Sequence, residues 1–297
     1  MFSFSKMLRM FCDEALQDSF EKNGFVVVPF YTSEEVKELK ELYYRLHPKD
    51  EKGFFPSTFS KDKNYRLVAD SEIRRLCKRS MDHYLQDIKT ICGCFIVKSP
   101  GHESAMCVHQ DMTLVDESKY TGINIWVPLT DLTSTNGAIQ VLRGSHRLYP
   151  TYRGSTIPGV YEDVSEQIKP YLETLYLKAG EAVFFDQSII HYSDANLSDE
   201  VRIVTNTYFT HKDATFRIAY WNKDFGGKVE LFQEEDSFMT DFEQFGHNIH
   251  DRPTVGKSMG LFDYDFPKIS ETELKQLYGK KKENKPLFKR MMESLFS

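Results

Sequence analysis

The sequence predicts a mainly β fold with flanking helices, arranged as a double-stranded β-helix (jelly roll). Three observations lead there. From Gly93 to Phe209 short β-rich runs alternate with turn signals at close spacing, the pattern of an antiparallel sandwich or barrel. No parallel β–α–β alternation and no Gly-rich phosphate loop accompanies them. Aromatic residues are plentiful, with 23 Phe and 16 Tyr, and flat side chains pack well on sheet faces. At 297 residues and 40% hydrophobic, the chain can bury one large core.

Asp13 to Lys22 reads as a short helix stopped by Asn23-Gly24. Phe25 to Phe30 follows as a strand. Thr32 to Glu35 supplies an N-cap and an acidic first turn for a helix carrying Val36, Leu39, Leu42, Tyr43 and Leu46 at helical spacing. Lys49 to Asn64 is polar and irregular and reads as a loop. Ser71 to Ile91 reads as a second amphipathic helix. The strand candidates are then Phe95 to Lys98, Ile123 to Pro128, Ala138 to Leu142, Thr174 to Lys178, Ala182 to Phe185 and Arg202 to Phe209. Asn136-Gly137 marks a turn among them. Beyond Phe225 the pattern weakens into an acidic, aromatic stretch and a basic tail containing Lys280 to Lys282. The expected organisation is one domain: a mainly helical part (1–92), a jelly-roll core (93–225) and a C-terminal extension (226–297).

A net charge of -6 offers no basic footprint for nucleic acid. Five cysteines at irregular spacing, Cys12, Cys77, Cys92, Cys94 and Cys107, do not make a disulfide framework. Cys92 and Cys94 sit too close for a usual zinc knuckle and no second pair follows, so reduced thiols and a cytoplasmic compartment are expected. Apolar runs are too short to span a bilayer, and the first ten residues lack the apolar stretch of a secretory signal.

His109-Gln110-Asp111 can present an imidazole and a carboxylate to one ion, because residues two apart on an extended segment project to the same side. His191 follows the β-rich run Gly180 to Ile190. Two His and one carboxylate form the facial triad of non-haem Fe(II) oxygenases. Taken alone, a His-x-Asp pair in a chain with nine His is most often coincidence. Arg202, which opens the run to Phe209, is a surface Arg on a strand end if considered by itself. With the triad, its guanidinium could fork onto a carboxylate in two parallel hydrogen bonds. Asn124 shares a strand face with Trp126; for Trp126 core packing competes with a role at the site. His146 lies in a turn motif with a local structural role. His102, His247 and His250 read as surface or cleft residues.

In their order along the chain these segments resemble the phytanoyl-CoA dioxygenase family over roughly residues 13 to 225. The resemblance is carried by Asn23-Gly24-Phe25-Val26-Val27, Lys98-Ser99-Pro100-Gly101 before the His109–Asp111 segment, and the Trp-bearing run Ile123 to Asp131. It extends through Asn136-Gly137, Gly144-Ser145-His146 and Gly180 to Asp186. Thr135, Arg143 and Glu181 depart from the family pattern at turns and a strand entry, outside the ligand set. The resemblance implies a cupin-like fold and iron held by His109, Asp111 and His191. It also implies that Arg202 takes the distal carboxylate of 2-oxoglutarate, with Trp126, Lys98 and Gln110 nearby. Fe(II), 2-oxoglutarate and O2 are then the expected cofactor and cosubstrates. The reaction would hydroxylate an unactivated C–H bond of a small metabolite, with an acyl-CoA or carrier-bound acyl group as the alternative substrate. Asp111 argues against a halogenase, which leaves that ligand position to chloride. A catalytically idle 2-oxoglutarate-binding regulator is the rival from another class. Gly226 to Phe266, rich in aromatics and glycines, is expected either to cover the barrel mouth as a lid or to wrap its outside.

Overall fold

The computed structural model describes residues 8–47, 52–148, 151–241 and 248–279. Asp13 caps the first helix, α1 (Glu14–Asn23), its carboxylate accepting from the Leu16 N–H at 2.8 Å. Gly24 ends it with a left-handed φ of 81° and hands over to strand β1 (Phe25–Pro29). Helix α2 (Ser33–Leu46) starts in a capping box, in which Thr32 and Glu35 satisfy each other's backbone N–H. The expected loop from Lys49 to Asn64, of which 49–51 lie outside the described residues, instead holds β2 (Phe54–Pro56) and a single 3-10 turn.

The second long helix differs from expectation. It is α3 (Lys63–Tyr84), earlier at both ends than Ser71 to Ile91. Asp62 starts it by accepting from the Asn64 and Tyr65 N–H groups. It stops before Asp87, which takes a positive φ of 53°. Ile88 and Ile91 then lie on β3 (Ile88–Lys98), not on the helix. Their helical spacing is overruled by pairing along nearly the whole length of a distant strand. β3 therefore begins inside the stretch expected to be helical.

The core follows as β4 (Met106–His109), β5 (Ile123–Pro128), β6 (Ile139–Val141), the one-turn α4 (Ser165–Ile168), β7 (Glu173–Thr174), β8 (Glu181–Asp186), β9 (His191–Ser193) and β10 (Arg202–His211). Of the strand expected at Thr174 to Lys178 only its first residue is in ladder pairing; Leu175 and Leu177 are buried nonetheless. One six-stranded sheet has the order β1-β8-β5-β10-β3-β2, and a four-stranded sheet has the order β4-β9-β6-β7. Every pairing within these sheets is antiparallel. The outer face of the larger sheet packs on the helices through Phe20, Leu39, Ile73, Phe95, Phe184 and Ile203. Its inner face meets the smaller sheet through Trp126, Val183, Phe185, Val204, Ile139 and Val141. This is the expected double-stranded β-helix with flanking helices.

The C-terminal extension has more structure than its sequence suggests. Its strands β12 (Lys228–Gln233) and β13 (Lys257–Asp263) form a third sheet with β11 (Arg217–Tyr220), which precedes the extension; α5 (Phe238–Asp241) and α6 (Glu271–Tyr278) complete the described chain. Every residue of β13 is exposed, so no alternation of apolar and polar residues could announce it. Phe242, Phe245, Gly246, His247 and the basic tail from Lys280 lie outside the described residues. No helix among the described residues is long and apolar enough to cross a membrane.

His146 has the local role its turn motif suggested. It packs on the end of α1, its Nε2 3.1 Å from the Glu21 carbonyl, and burial pushes its imidazole down to about 4. A Cβ on Gly24 would collide with that ring, and the positive φ adds a backbone penalty. Gly24→Ala should therefore cost more than about 1 kcal/mol of stability in urea unfolding. Adding His146→Ala should return only the steric part, because the backbone penalty remains.

Candidate metal centre and its cavity

β4 and β9 are neighbours in the smaller sheet, and His109 lies directly across the ladder from His191. Their ring centroids are 4.1 Å apart. Asp111 follows just beyond β4, and its Oδ1 is 3.8 Å from Nε2 of each histidine. One donor atom from each of the three residues lies within 4.8 Å of the others. A backbone carbonyl can only accept, so each Nδ1 must carry its proton: His109 donates to Cys107 O (2.8 Å) and His191 to Ile189 O (3.0 Å). Both Nε2 lone pairs are thereby turned toward Asp111, the arrangement that orients imidazole ligands. Burial, then the adjacent His191, pushes the His109 imidazole down to about 4, so it is neutral and able to ligate.

Asp111 is held from three sides. Its N–H donates to Gln187 O at 2.9 Å, its carbonyl accepts from Arg153 Nε at 2.7 Å, and its Oδ2 accepts from Asn124 Nδ2 at 2.7 Å. A carboxylate only accepts, so Asn124 must use its amide nitrogen there and turn its Oδ1 to Asn206, whose Nδ2 donates at 2.8 Å. Arg153 is fixed in turn by Glu117, and Gln187 links Glu117 (2.5 Å) to the Tyr208 hydroxyl (2.7 Å). Sequence reasoning missed Asn206 and Arg153. Asn206 shares the β10 face of Arg202 at the period of two, a signal that was available. Arg153 sits in an irregular stretch without one.

Arg202, the first residue of β10, is only 2% exposed. Its Nη1 donates to Gly137 O at 3.2 Å, its guanidinium lies 5.2 Å from the Trp126 ring, and its Nε–H has no acceptor. Among the described residues no carboxylate forms an ion pair with it. Burial pulls its pKa down to about 9. A buried cation without an anion is costly, and here its orphan donor belongs to a residue of the cavity wall.

That cavity has a volume of about 780 Å³. Of the residues expected at the site, His109, Gln110, Asp111, Asn124, Trp126, His191 and Arg202 line it. Trp126 is at once core and cavity wall, being 4% exposed. Gln110 has its amide committed to the Ser188 carbonyl. Lys98 does not line the cavity. It is fully buried, and its Nζ donates to Ser193 O at 2.9 Å and to Asp194 O, clamping β3 to the end of β9. Burial, then the Arg202 charge, pushes Lys98 down to about 6. His102 and His250 are exposed; His250 Nδ1 lies 3.0 Å from Ser155 O.

The C-terminal extension reaches the cavity through Ile249 and Tyr264. Its other contacts brace the wall segment 151–165 from outside. Tyr264 OH donates to Tyr152 O (3.3 Å), Ile269 N–H to Val160 O (3.1 Å), and Leu274 and Tyr278 pack with Val160 and Val164. The described part thus shares features of a cavity wall and of an outer wrap.

A jelly roll carrying two histidines and one carboxylate on facing strand ends has the make-up of a non-haem metal oxygenase. The family model for phytanoyl-CoA dioxygenase matches residues 20–204, and the chain belongs to that family of iron- and 2-oxoglutarate-dependent oxygenases. The phytanoyl-CoA dioxygenase domain-containing protein 1 of Danio rerio is 28% identical over 50% of this chain and 53% of its own length. The homologue of that protein in Dictyostelium discoideum is 29% identical over 40% of this chain and 45% of its own. The aligned region thus spans about half the length of these relatives. Among solved structures, the non-haem alpha ketoglutarate-dependent carbocyclase SnoK from nogalamycin biosynthesis has a TM-score of 0.50 at 20% identity, over 69% of this chain and 86% of its own. The epimerase SnoN, solved with Fe3+, alpha ketoglutarate and nogalamycin RO, has a TM-score of 0.50 at 21% identity, over 68% and 85%. At such identities the likeness is one of fold.

The unpaired Arg202 yields a test without any substrate. Arg202→Met keeps the stem volume and removes the buried charge. The ligand-free variant should unfold in urea at the same concentration as the parent or a higher one. A large loss of stability would mean that Arg202 is structural.

Proposed function

We propose that the protein is an Fe(II)/2-oxoglutarate-dependent dioxygenase that hydroxylates an unactivated C–H bond of a small free metabolite. In balance, the C–H compound, 2-oxoglutarate and O2 become the C–OH compound, succinate and carbon dioxide. The observation that carries the reading is one cavity holding both a preformed two-His, one-carboxylate donor set and a buried cation with no counter-ion among the described residues. His109, Asp111 and His191 would hold the iron, which supplies the oxidising chemistry once O2 and 2-oxoglutarate are bound. Arg202 would take the distal carboxylate of 2-oxoglutarate, which supplies the acceptors that its guanidinium lacks. Trp126 would keep water from that contact, its ring lying over the guanidinium. Asn124, held by Asn206, would keep Asp111 turned so that Oδ1 stays on the ion. Gln110, bonded to Ser188, and Lys98, clamped to the β9 end, would act by holding the strand ends that carry the ligands. The whole chain would work as a single oxygenase domain.

The deciding experiment incubates the protein with Fe(II), 2-oxoglutarate and a metabolite extract. Mass spectrometry should find a substrate-dependent gain of one oxygen with matching succinate. Binding of iron and 2-oxoglutarate without any turnover would favour an idle regulator instead. Asp111→Ala should abolish the activity and weaken iron binding in calorimetry; hydroxylation at the parent rate would refute the ligand set. Arg202→Ala should weaken 2-oxoglutarate binding by about 2–5 kcal/mol with less effect on iron. Arg202→Lys should restore only part of it, because an ammonium cannot make the two parallel bonds of a guanidinium.

A further inference from the structure

Beside the donor set, the cavity wall includes the apolar side chains of Phe54, Phe59, Met106, Met112, Ile157 and Tyr264. These come from four separate stretches: the β2 region, the β4 region, segment 151–165 and the C-terminal extension. An apolar surface assembled from so many places is not the face of one core element. Methionine and aromatic side chains of this kind give a wall that adapts to an apolar guest.

The charges around this wall are as informative as its apolar residues. Among the described residues, the Asp, Glu, His, Lys and Arg side chains lining the cavity are His109, Asp111, His191, Arg202, Arg153 and Glu162. The first three form the candidate metal set, and Arg202 is the cation assigned above to 2-oxoglutarate. Arg153 is buried and already neutralised by Glu117. Glu162 is the remaining charge, an exposed carboxylate paired with Lys268 at 3.4 Å. A phosphate or carboxylate in this space would find, among the described residues lining it, no cation that is not already paired or assigned. Burying an anion without a partner is strongly unfavourable. The wall therefore selects against anions as well as for apolar surface.

We propose that the substrate occupying this cavity beside the donor set is a neutral, largely apolar molecule that binds free, not as a carboxylate or a phosphate-bearing thioester. The proposal rests on the oxygenase reading for the word substrate, while the ligand class itself is a property of the cavity. Phe59 and Met106 act as specificity residues: they contact the guest and set its polarity.

The test uses matched probes on the full-length protein. N-phenylnaphthylamine and anilinonaphthalene sulfonate share an aromatic skeleton and differ by one sulfonate. The neutral dye should bind with a blue-shifted emission, at least about tenfold more tightly than the anionic one. Dodecanol should displace it, whereas dodecanoate and dodecanoyl-CoA should not at the same concentration. Phe59→Lys, at an exposed position, and Met106→Lys, at a half-buried one, should each weaken the neutral dye and strengthen the anionic one. Equal or tighter binding of the sulfonate or of dodecanoyl-CoA would overturn the proposal. So would neutral-dye binding that neither variant changes, since the dye would then lie elsewhere. Calorimetry with Fe(II) and 2-oxoglutarate on the same samples separates the two readings. Normal cofactor binding beside an anion-preferring cavity sinks this proposal alone. Failed cofactor binding beside a neutral-preferring cavity sinks the oxygenase reading and leaves the ligand class standing.

Discussion

One rung of the β4–β9 ladder places His109 opposite His191, and the candidate site is organised around that rung. Two imidazoles from distant parts of the chain come face to face only because the antiparallel pairing holds their Cα atoms in register. The carbonyls of Cys107 and Ile189, each two residues before its histidine, then fix both rings by the same device. Asp111 needs no strand of its own. The Gln187 carbonyl takes its N–H just before β9, so the carboxylate is tied to the segment that delivers His191.

The larger sheet contributes what the smaller sheet lacks. β5 and β10 run side by side, with Trp126 opposite Asn206 in register, Asn124 hydrogen-bonded to Asn206 and the Arg202 guanidinium over the Trp126 ring. The amide chain from Asn206 to Asn124 to Asp111 spans the two sheets, so the orientation of a ligand on one is set by residues of the other. Such a site is not built for stability. Among the described residues, its buried guanidinium has no counter-ion and its Asn206 oxygen no donor, which an apolar core would avoid. The helices and the core on the outer face of the sheet carry the stability that tolerates this.

The C-terminal extension acts mainly at one remove. Its sheet and α6 lie behind segment 151–165, and that segment forms much of the cavity wall. Changes in the extension can therefore reshape the cavity without touching a bound molecule.

Much was legible from residue types alone. The capping residues, the Gly24 stop, the central strands and the His109, Asp111, His191 and Arg202 set all depend on local spacing or on chemistry that few residues perform. The helix at Ser71 was misplaced because Ile88 and Ile91 satisfy a helical period while pairing in a sheet, and spacing cannot separate those states in a short apolar run. β13 was invisible because an exposed strand has no buried face to print a pattern. Lys98 was expected beside the cosubstrate, but whether a lysine at a strand end faces a cavity or its own backbone depends on which carbonyls lie within reach. The sequence by itself determined the donor types and the strands that bear them. Only the tertiary structure decided which atoms converge, that Arg202 is left without an anion, and which loops enclose the apolar cavity, because each of these is set by contacts between residues far apart along the chain.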